Sequence, residues 1–368
     1  MASRDRVVIS SFARTPIGNF QGSLSSLKAT ELGAVAVREA VARSRADPGA
    51  IDKIMMGCVL AAGLGQAPAR QAALGAGLPQ SVEATTINKM CGSGLQAAAL
   101  ACDALQAGSA DLVVAGGMES MSNAPYLLGK HRGGTRIGHD VVLDSLYLDG
   151  LEDAYEPGRS MGSFAEETAR RYQLTRSEQD DFAVESLARA RQATASGGFA
   201  TEIVPVPIKG KAAVKAGAMV DSDEQPGRAD PSRIRTLRPA FAEDGTITAA
   251  NASSISDGAA ALVLTRASVA ARDRLAMTAE IIAHAAHAQA PADFTTAPVP
   301  AIRKVLGRAG WSVADVDLFE INEAFAVVAI IAMRELGIPR ERLNVHGGAC
   351  ALGHPIGASG ARILATLL

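Results

Sequence analysis

The sequence has little of what marks secreted, metal-binding or nucleic-acid-binding proteins. Four cysteines occur among 368 residues, and none stands in CxxC or CxxxC spacing, so neither a disulfide framework nor a metal site is indicated. A formal net charge of −2 provides no broad field to attract nucleic acid or acidic lipid. We therefore expect no metal, no nucleic-acid partner and no structural disulfides.

Long apolar runs are also missing. The longest, residues 324–333, spans about half of the ~20 residues that a membrane-spanning helix requires. At the N-terminus, Arg4, Asp5 and Arg6 occupy the position where a signal peptide has its apolar core. These two observations predict a cytoplasmic protein without a membrane segment.

What remains is the composition of a large folded protein. Apolar residues make up 48% of the chain and charged residues 20%, which suffices for an extensive core. At this length one core is usually exceeded, so we expect two lobes.

Two segments of the chain resemble each other. Apolar residues at helical spacing over 29–44 precede an apolar run over 51–59, and the same order recurs over 300–309 and 316–321. Each pair leads, after a similar distance, to a Gly-rich turn that opens a helix. This predicts an internal duplication in an α/β layered fold, with an irregular, Pro-rich and charged segment inserted over 121–250.

Cys91 lies in the first Gly-rich turn, after a strand-like segment and at the start of a helix. Free backbone N–H groups and the helix dipole would stabilise a thiolate there and lower its pKa. Gly92 and Gly94 leave room beside the sulfur for an acyl group. Cys91 is therefore a candidate nucleophile, although most free cysteines are small buried hydrophobes.

His354 and Asn322 are the other two catalytic candidates. His354, between Gly353 and Pro355 in the second turn, could take a proton from the Cys91 thiol; a structural or surface histidine is the alternative. Asn322 follows an apolar run and could orient a water or an oxyanion, or only cap a helix. Cys350 is interpreted mainly as a buried structural residue.

Five motifs indicate a known family. They are NKMCGSGLQA at 88–97, GGMESMSNAP at 117–126, NASSISDGAAA at 251–261, NEAF at 322–325 and GGACALGHPIGASGAR at 347–362. In order and spacing they resemble the thiolase family along essentially the whole chain. NEAF and GHP resemble the thiolase branch rather than the ketosynthases.

The resemblance implies a fold of two duplicated βαβαβαββ halves in a five-layer αβαβα sandwich with an inserted loop domain. The N-terminal half would comprise 1–120 plus 254–274, the loop domain 121–253 and the C-terminal half 275–368. It also implies a homodimer or homotetramer, with a tetramerisation loop within 121–145.

The implied chemistry is that of a short-chain, biosynthetic-type acetyl-CoA C-acetyltransferase of fatty acid metabolism. Cys91 would accept the acyl group, His354 would activate it, and Asn322 with His354 and Cys91 would form the oxyanion hole. Coenzyme A thioesters are substrates and no bound cofactor is implied; two acetyl-CoA would give acetoacetyl-CoA by a ping-pong reaction. A broader-chain 3-ketoacyl-CoA thiolase is the near alternative, whereas a cysteine hydrolase would not account for NEAF and GHP.

The resemblance also assigns substrate-binding residues. Ser253 matches a pantetheine-contacting serine, Phe241 a CoA-contacting aromatic residue and Met161 an acyl-pocket methionine. Arg228 is assigned to the adenine or ribose-phosphate end of CoA. The remaining assignments to the CoA and acyl tunnel are Leu151, Ala324, Phe325 and Phe294.

Two positions depart from the family pattern. Ser160 stands where short-chain members usually have histidine, and Phe294 stands where many have methionine, which would narrow the acyl pocket. Thiolases also have a second catalytic cysteine in a C-terminal CxGGG motif, and the 368 residues contain none. We therefore expect that the C-terminal end is missing. A chain that lacks this motif could at most acylate Cys91, so a truncated, non-catalytic CoA-thioester binder is a further alternative to the acetyltransferase.

Overall fold

The computed structural model describes residues 5–208 and 218–368, so residues 209–217 of the predicted inserted segment lie outside the described residues. The strands are β1 Val7–Arg14, β2 Gly18–Asn19, β3 Lys53–Gly57, β4 Glu83–Ile87, β5 Leu112–Ser120, β6 Tyr126–Leu127, β7 Leu143–Asp144, β8 Val206–Pro207, β9 Met219–Val220, β10 Ser256–Arg266 and β11 Ala279–Glu280. The helices are α1 Ala29–Ser44, α2 Pro68–Ala76, α3 Ser93–Gln106, α4 Ser145–Gly150, α5 Met161–Arg171, α6 Arg176–Ser196, α7 Glu224–Arg228, α8 Ala267–Asp273, α9 Pro298–Ala309, α10 Ala326–Leu336, α11 Ala349–Leu352 and α12 Ser359–Leu367. Short 3-10 turns lie at Pro48–Ala50, Met121–Asn123, His131–Gly133, Pro231–Thr236, Pro291–Thr296, Val313–Asp315 and Arg340–Arg342.

One mixed sheet organises the described residues. Its strand order is β11-β1-β10-β5-β3-β4, and β2 pairs with β10. β3 is parallel to both β4 and β5, whereas β10 is antiparallel to β5 and β1. β5 and β10 are buried over nearly their whole length, as expected for strands whose two faces are both covered.

Helices cover both faces of this sheet. Residues of α1 and α2 pack on one face against Ile54 and Val114, and residues of α3 and α12 pack on the other against Val113 and Leu262. Since successive strand residues point to opposite faces, Val113 and Val114 fall into different cores. The result is a helix–sheet–helix arrangement in which α3 and α12 share one layer.

The predicted irregular excursion is more ordered than expected. It contains α5 and the long helix α6, whose start is fixed by reciprocal hydrogen bonds between Thr175 and Glu178. α5 and α6 contribute to a second core around the buried helix α10. Within 5–208 and 218–368, no helix is both long enough and apolar enough to cross a bilayer.

Within 5–208 and 218–368, the second large sheet expected of the C-terminal half does not appear: this part of the chain contributes β11 to the first sheet and otherwise forms isolated bridges. The apolar run 316–321 makes one bridge, between Phe319 and Leu343. Beyond that bridge the side chain of Asn344 bonds to both the N–H and the C=O of Ile321, each at 2.9 Å. The side chain of Asn344 therefore satisfies the backbone groups of Ile321 that a neighbouring strand would otherwise pair.

Candidate active site

The Cys91 turn connects β4 to α3. Met90 has a φ of 49°, a left-handed conformation that is uncommon for a residue with a side chain. Its N–H donates to Asn88 Oδ1 at 3.0 Å, and its carbonyl accepts from Ser93 Oγ at 2.6 Å. These bonds hold the sharp turn that presents Cys91, a residue that is exposed as a whole although its sulfur lies against the buried His354.

His354 lies directly beside the nucleophile candidate. Its Nε2 is 3.1 Å from Cys91 Sγ, although the two residues are 263 positions apart. The histidine is buried, in the loop between α11 and α12. This is the spacing expected of a thiol and the base that activates it.

The pKa of the Cys91 thiol differs from the expected one. Desolvation raises the pKa of Cys91 to about 11, and the negative charge of Glu119 adds to this, whereas the backbone N–H of Cys91 itself acts in the opposite direction. The predicted low pKa is therefore wrong, because loss of water around the sulfur outweighs the helix start. Burial, with the charge of Arg362, lowers the pKa of His354 to about 4, so the resting pair is a neutral thiol and a neutral imidazole.

Asn322 completes the predicted catalytic group. Its Nδ2 lies 3.4 Å from Nε2 and 3.5 Å from Nδ1 of His354. Its Oδ1 is buried and has no hydrogen-bond partner, which is a costly state that a bound group would relieve. All three residues predicted for catalysis thus meet at one place.

Close backbone packing brings the histidine loop to the cysteine turn. The carbonyl of Gly357 sits so near Gly57, Gly94 and Gly117 that a Cβ on Gly57 or Gly117 would overlap it. Gly353 has a φ of 108° and faces Ser256, where a side chain would clash. Glycines of separate motifs therefore permit one contact between distant parts of the chain.

Glu119 is a buried residue that the sequence reasoning missed, although it stands within GGMESMSNAP. Its carboxyl group accepts hydrogen bonds from the backbone N–H groups of Val59 at 2.9 Å, Leu60 at 3.1 Å and Gly357 at 2.9 Å. It thereby ties the end of β3 to the histidine loop. Burial raises the pKa of Glu119 to about 7.

Replacing Glu119 with glutamine should destabilise the fold and loosen the catalytic pair. At pH 8 the carboxylate accepts from three N–H groups, and an amide nitrogen would oppose at least one of them. We expect a loss of about 1–3 kcal/mol in the free energy of unfolding, measured by urea denaturation, and slower acylation of Cys91. The exposed Glu341 provides the matched control: Glu341→Gln should change neither quantity, and equal behaviour of both variants would contradict the bridging role.

The predicted substrate residues form an aromatic cluster beside this site. The ring centroids of Phe241 and Phe325 are 6.0 Å apart, and those of Phe294 and Phe325 are 6.4 Å apart. Ser253 bonds to the carbonyl of Ala324 through both its N–H and its Oγ. The structure thus brings these five residues together.

Met161 and Leu151 are linked to each other, and Arg228 lies elsewhere. The N–H of Met161 donates to the carbonyl of Leu151 at 2.9 Å, and Met161 packs against the core that includes Phe325. Arg228 is exposed on α7 and pairs with Glu224 at 2.7 Å.

A cavity of about 540 Å³ is lined in part by Phe241. Ser160 and Phe241 form part of its wall, and Arg159, Glu166 and Arg170 give it a charged lining. Neither Cys91 nor His354 lines it, so the chemistry is not located in this cavity.

Comparison with known proteins gives concordant matches. The family model "Thiolase, N-terminal domain" matches residues 7–268 and "Thiolase, C-terminal domain" matches residues 275–368. Acetyl-CoA acetyltransferase 2 of Arabidopsis thaliana is 52% identical, over 98% of this chain and 90% of its own length. Acetyl-CoA acetyltransferase of Pseudomonas aeruginosa is 47% identical, over 98% of this chain and 92% of its own.

A solved structure agrees with the sequence relatives. The crystal structure of Acat5 thiolase from Ascaris suum in complex with coenzyme A matches with a TM-score of 0.93 and 42% identity, covering 98% of this chain and 92% of that one. The expectation that the C-terminal end is missing is not borne out, because the C-terminal model matches through residue 368. The chain belongs to the thiolase family.

Proposed function

We propose that the chain is an acetyl-CoA C-acetyltransferase, which reversibly condenses two acetyl-CoA into acetoacetyl-CoA and CoA. The observation that carries this proposal is the 3.1 Å contact between His354 Nε2 and Cys91 Sγ. Acetyl-CoA acetyltransferases at about half identity over nearly the whole chain support the substrate. Coenzyme A thioesters are the substrates, and no separate cofactor is needed.

In the first half of the reaction, Cys91 Sγ attacks the thioester carbonyl while its proton passes to His354 Nε2. The tetrahedral intermediate expels the CoA thiolate, which takes the proton from His354 Nε2. Acetyl-Cys91 remains on the enzyme. We assign Asn322 to the oxyanion hole with His354 through a bound water: its buried, unpaired Oδ1 can accept a hydrogen bond from that water, whose other O–H then donates to the oxyanion beside the imidazole.

In the second half, a second acetyl-CoA gives a methyl proton to the neutral imidazole of His354, and its carbon attacks the acetyl group on Cys91, beside which Nε2 lies. The carbon–sulfur bond breaks, acetoacetyl-CoA leaves, and the released proton restores the Cys91 thiol. The neutral thiol and imidazole of the resting site suit this cycle, because each group starts and ends it uncharged.

We assign the aromatic cluster to the acyl and pantetheine end of the substrate. The Oγ of Ser253 donates to the carbonyl of Ala324, the residue before Phe325. Ala252, the residue before Ser253, forms a backbone bridge with Phe325. We also assign Met161 and Leu151, which are hydrogen-bonded to each other, to this tunnel. Arg228, an exposed cation, is assigned to the ribose-phosphate end.

Phe294 should limit the length of the acyl chain. Its ring packs near Phe325, so Phe294→Ala opens space for additional methylenes, each worth about 1–3 kcal/mol in an apolar pocket. We expect kcat/KM for 3-ketohexanoyl-CoA, relative to acetoacetyl-CoA, to rise roughly tenfold. Phe20→Ala, at an exposed phenylalanine, should leave the ratio unchanged. A wild-type enzyme that cleaves both substrates equally well would favour the broader-chain thiolase.

The proposed function is tested by two assays on the same preparation. Intact-mass spectrometry after exposure to acetyl-CoA detects acetyl-enzyme, and consumption of acetoacetyl-CoA with CoA measures turnover. Both should be positive. Acetylation without turnover would indicate the CoA-thioester binder, and the absence of both would refute the proposal.

Other expectations stay predictions. They are the cytoplasmic location, the role in fatty acid metabolism, the homodimeric or homotetrameric assembly and the boundaries of the loop domain. Measurement of the molar mass in solution would distinguish the homodimer from the homotetramer.

A further inference from the structure

The second nitrogen of the His354 ring has its own buried partner. We propose that Ser359 is a positioning residue that fixes the tautomer of His354, with the proton on Nδ1 and the lone pair of Nε2 directed at Cys91. This inference rests on the proposed function, in which His354 takes the thiol proton.

Ser359 is the first residue of α12 and is 1% exposed. Its Oγ is 2.5 Å from His354 Nδ1 and 3.0 Å from the carbonyl oxygen of Pro355. A hydroxyl has one proton to donate, whereas a carbonyl oxygen can only accept. With the hydroxyl proton on the Pro355 side, Oγ accepts from Nδ1–H and both contacts are satisfied.

The opposite tautomer fits less well at both ends. If the hydroxyl donated to Nδ1, the lone pairs of Oγ and of the Pro355 carbonyl would face each other at 3.0 Å without a proton between them. Nε2 would then carry a hydrogen aimed at Cys91 Sγ, and no base would be available for the thiol.

The other neighbours of His354 do not distinguish the two ring nitrogens. Asn322 Nδ2 is almost equidistant from them, at 3.4 and 3.5 Å. The bonds to Ser254 and Ser256 are made by the backbone N–H of His354, so they hold the main chain and not the ring. Among these contacts, Ser359 alone acts on Nδ1 specifically.

The hydroxyl of Ser359 also stabilises the protonated, positively charged form of His354. When the thiol proton reaches Nε2, the ring carries a proton on each nitrogen, and Nδ1–H keeps its bond to Ser359 Oγ. Hydrogen bonds from a charged donor are about twice as strong as neutral ones, so the contact favours the imidazolium that forms during attack. Ser359 acts through His354 and is not placed against the substrate.

The tautomer can be observed directly by proton–nitrogen NMR of protein labelled with ¹⁵N-histidine, with the His354 signals assigned from their loss in His354→Gln. We expect Nδ1 protonated and Nε2 unprotonated in the wild type. Ser359→Ala should give mixed tautomers and slow Cys91 acetylation by about 10- to 100-fold, the effect of removing the partner that orients a metal-ligating histidine. kcat should fall while KM stays constant.

Ser10→Ala, at another buried serine, controls for loss of a buried hydroxyl, and Ser359→Thr should retain the tautomer and most of the rate. The proposal is overturned by an Nε2-protonated wild type, or by Ser359→Ala with an unchanged spectrum and rate. A wild type that shows the expected tautomer but forms no acetyl-enzyme would refute the proposed function alone. Should Ser359→Ala not fold, the wild-type spectrum and Ser359→Thr decide.

Discussion

Cys91→Ala is expected to abolish both acetyl-enzyme formation and acetoacetyl-CoA turnover. The substitution removes the sulfur that lies 3.1 Å from His354 Nε2. Loss of a nucleophile from a covalent mechanism lowers kcat by roughly 10⁴-fold or more. Cys350, four positions before His354, cannot replace it, because its sulfur is buried against the carbonyls of Asn251 and Glu323.

The measurement is intact-mass spectrometry of wild type and variant after the same exposure to acetyl-CoA, with turnover assayed in parallel. Cys350→Ala is the matched cysteine control: it should acquire the acetyl group at the wild-type rate while losing some stability from the cavity it creates. An acetyl adduct of undiminished yield on Cys91→Ala would assign the nucleophile to another residue.

His354→Ala is expected to slow acetylation of Cys91 by ~10²- to 10⁴-fold at neutral pH, the usual contribution of a general base. Without the imidazole only preformed thiolate reacts. Since the pKa of Cys91 is raised to about 11, four units above neutrality, roughly one molecule in 10⁴ carries thiolate at pH 7.

The pH profile separates this role from a structural one. In the wild type both groups are neutral between about pH 4 and about pH 11. Acetylation should therefore be nearly constant between about pH 7, above which the bridging Glu119 is ionised, and about pH 11, and it should fall at lower pH as Glu119 and then the imidazole become protonated. In His354→Ala the rate should rise about tenfold for each pH unit, following the thiolate fraction. Stopped-flow or quench-flow mass spectrometry measures both profiles, and the exposed His139→Ala serves as control. A variant with a flat profile would contradict base catalysis by His354.

Some features of this fold and site can be predicted from the local sequence. The helix predicted over 29–44 is α1 with the same bounds, because its apolar spacing and the following Asp47-Pro48-Gly49 turn are local signals. Cys91 and His354 are predictable because a glycine lies next to each, Gly92 after the cysteine and Gly353 before the histidine. Glycine beside a reactive side chain indicates that another group approaches it closely.

Other features depend on contacts that spacing does not reveal. The raised pKa of Cys91 comes from the protein around its sulfur, and the roles of Glu119 and Ser359 come from groups far away in the chain or on the next turn. The run 316–321 has the composition of a strand, yet Asn344 takes the place of its neighbour. Each of these outcomes is decided by tertiary structure.

The separation of Cys91 and His354 along the chain also bears on how activity emerges during folding. The thiol belongs to a turn between neighbouring elements, β4 and α3, whereas the imidazole arrives only when the loop before α12 closes a span of 263 positions. Contacts between distant positions form late because the closing chain must first give up its entropy. A refolding chain should therefore recover local structure, such as α1 and the pairing of β3 with β4, before its reactivity, and an assay of acetylation would report a late docking event rather than collapse.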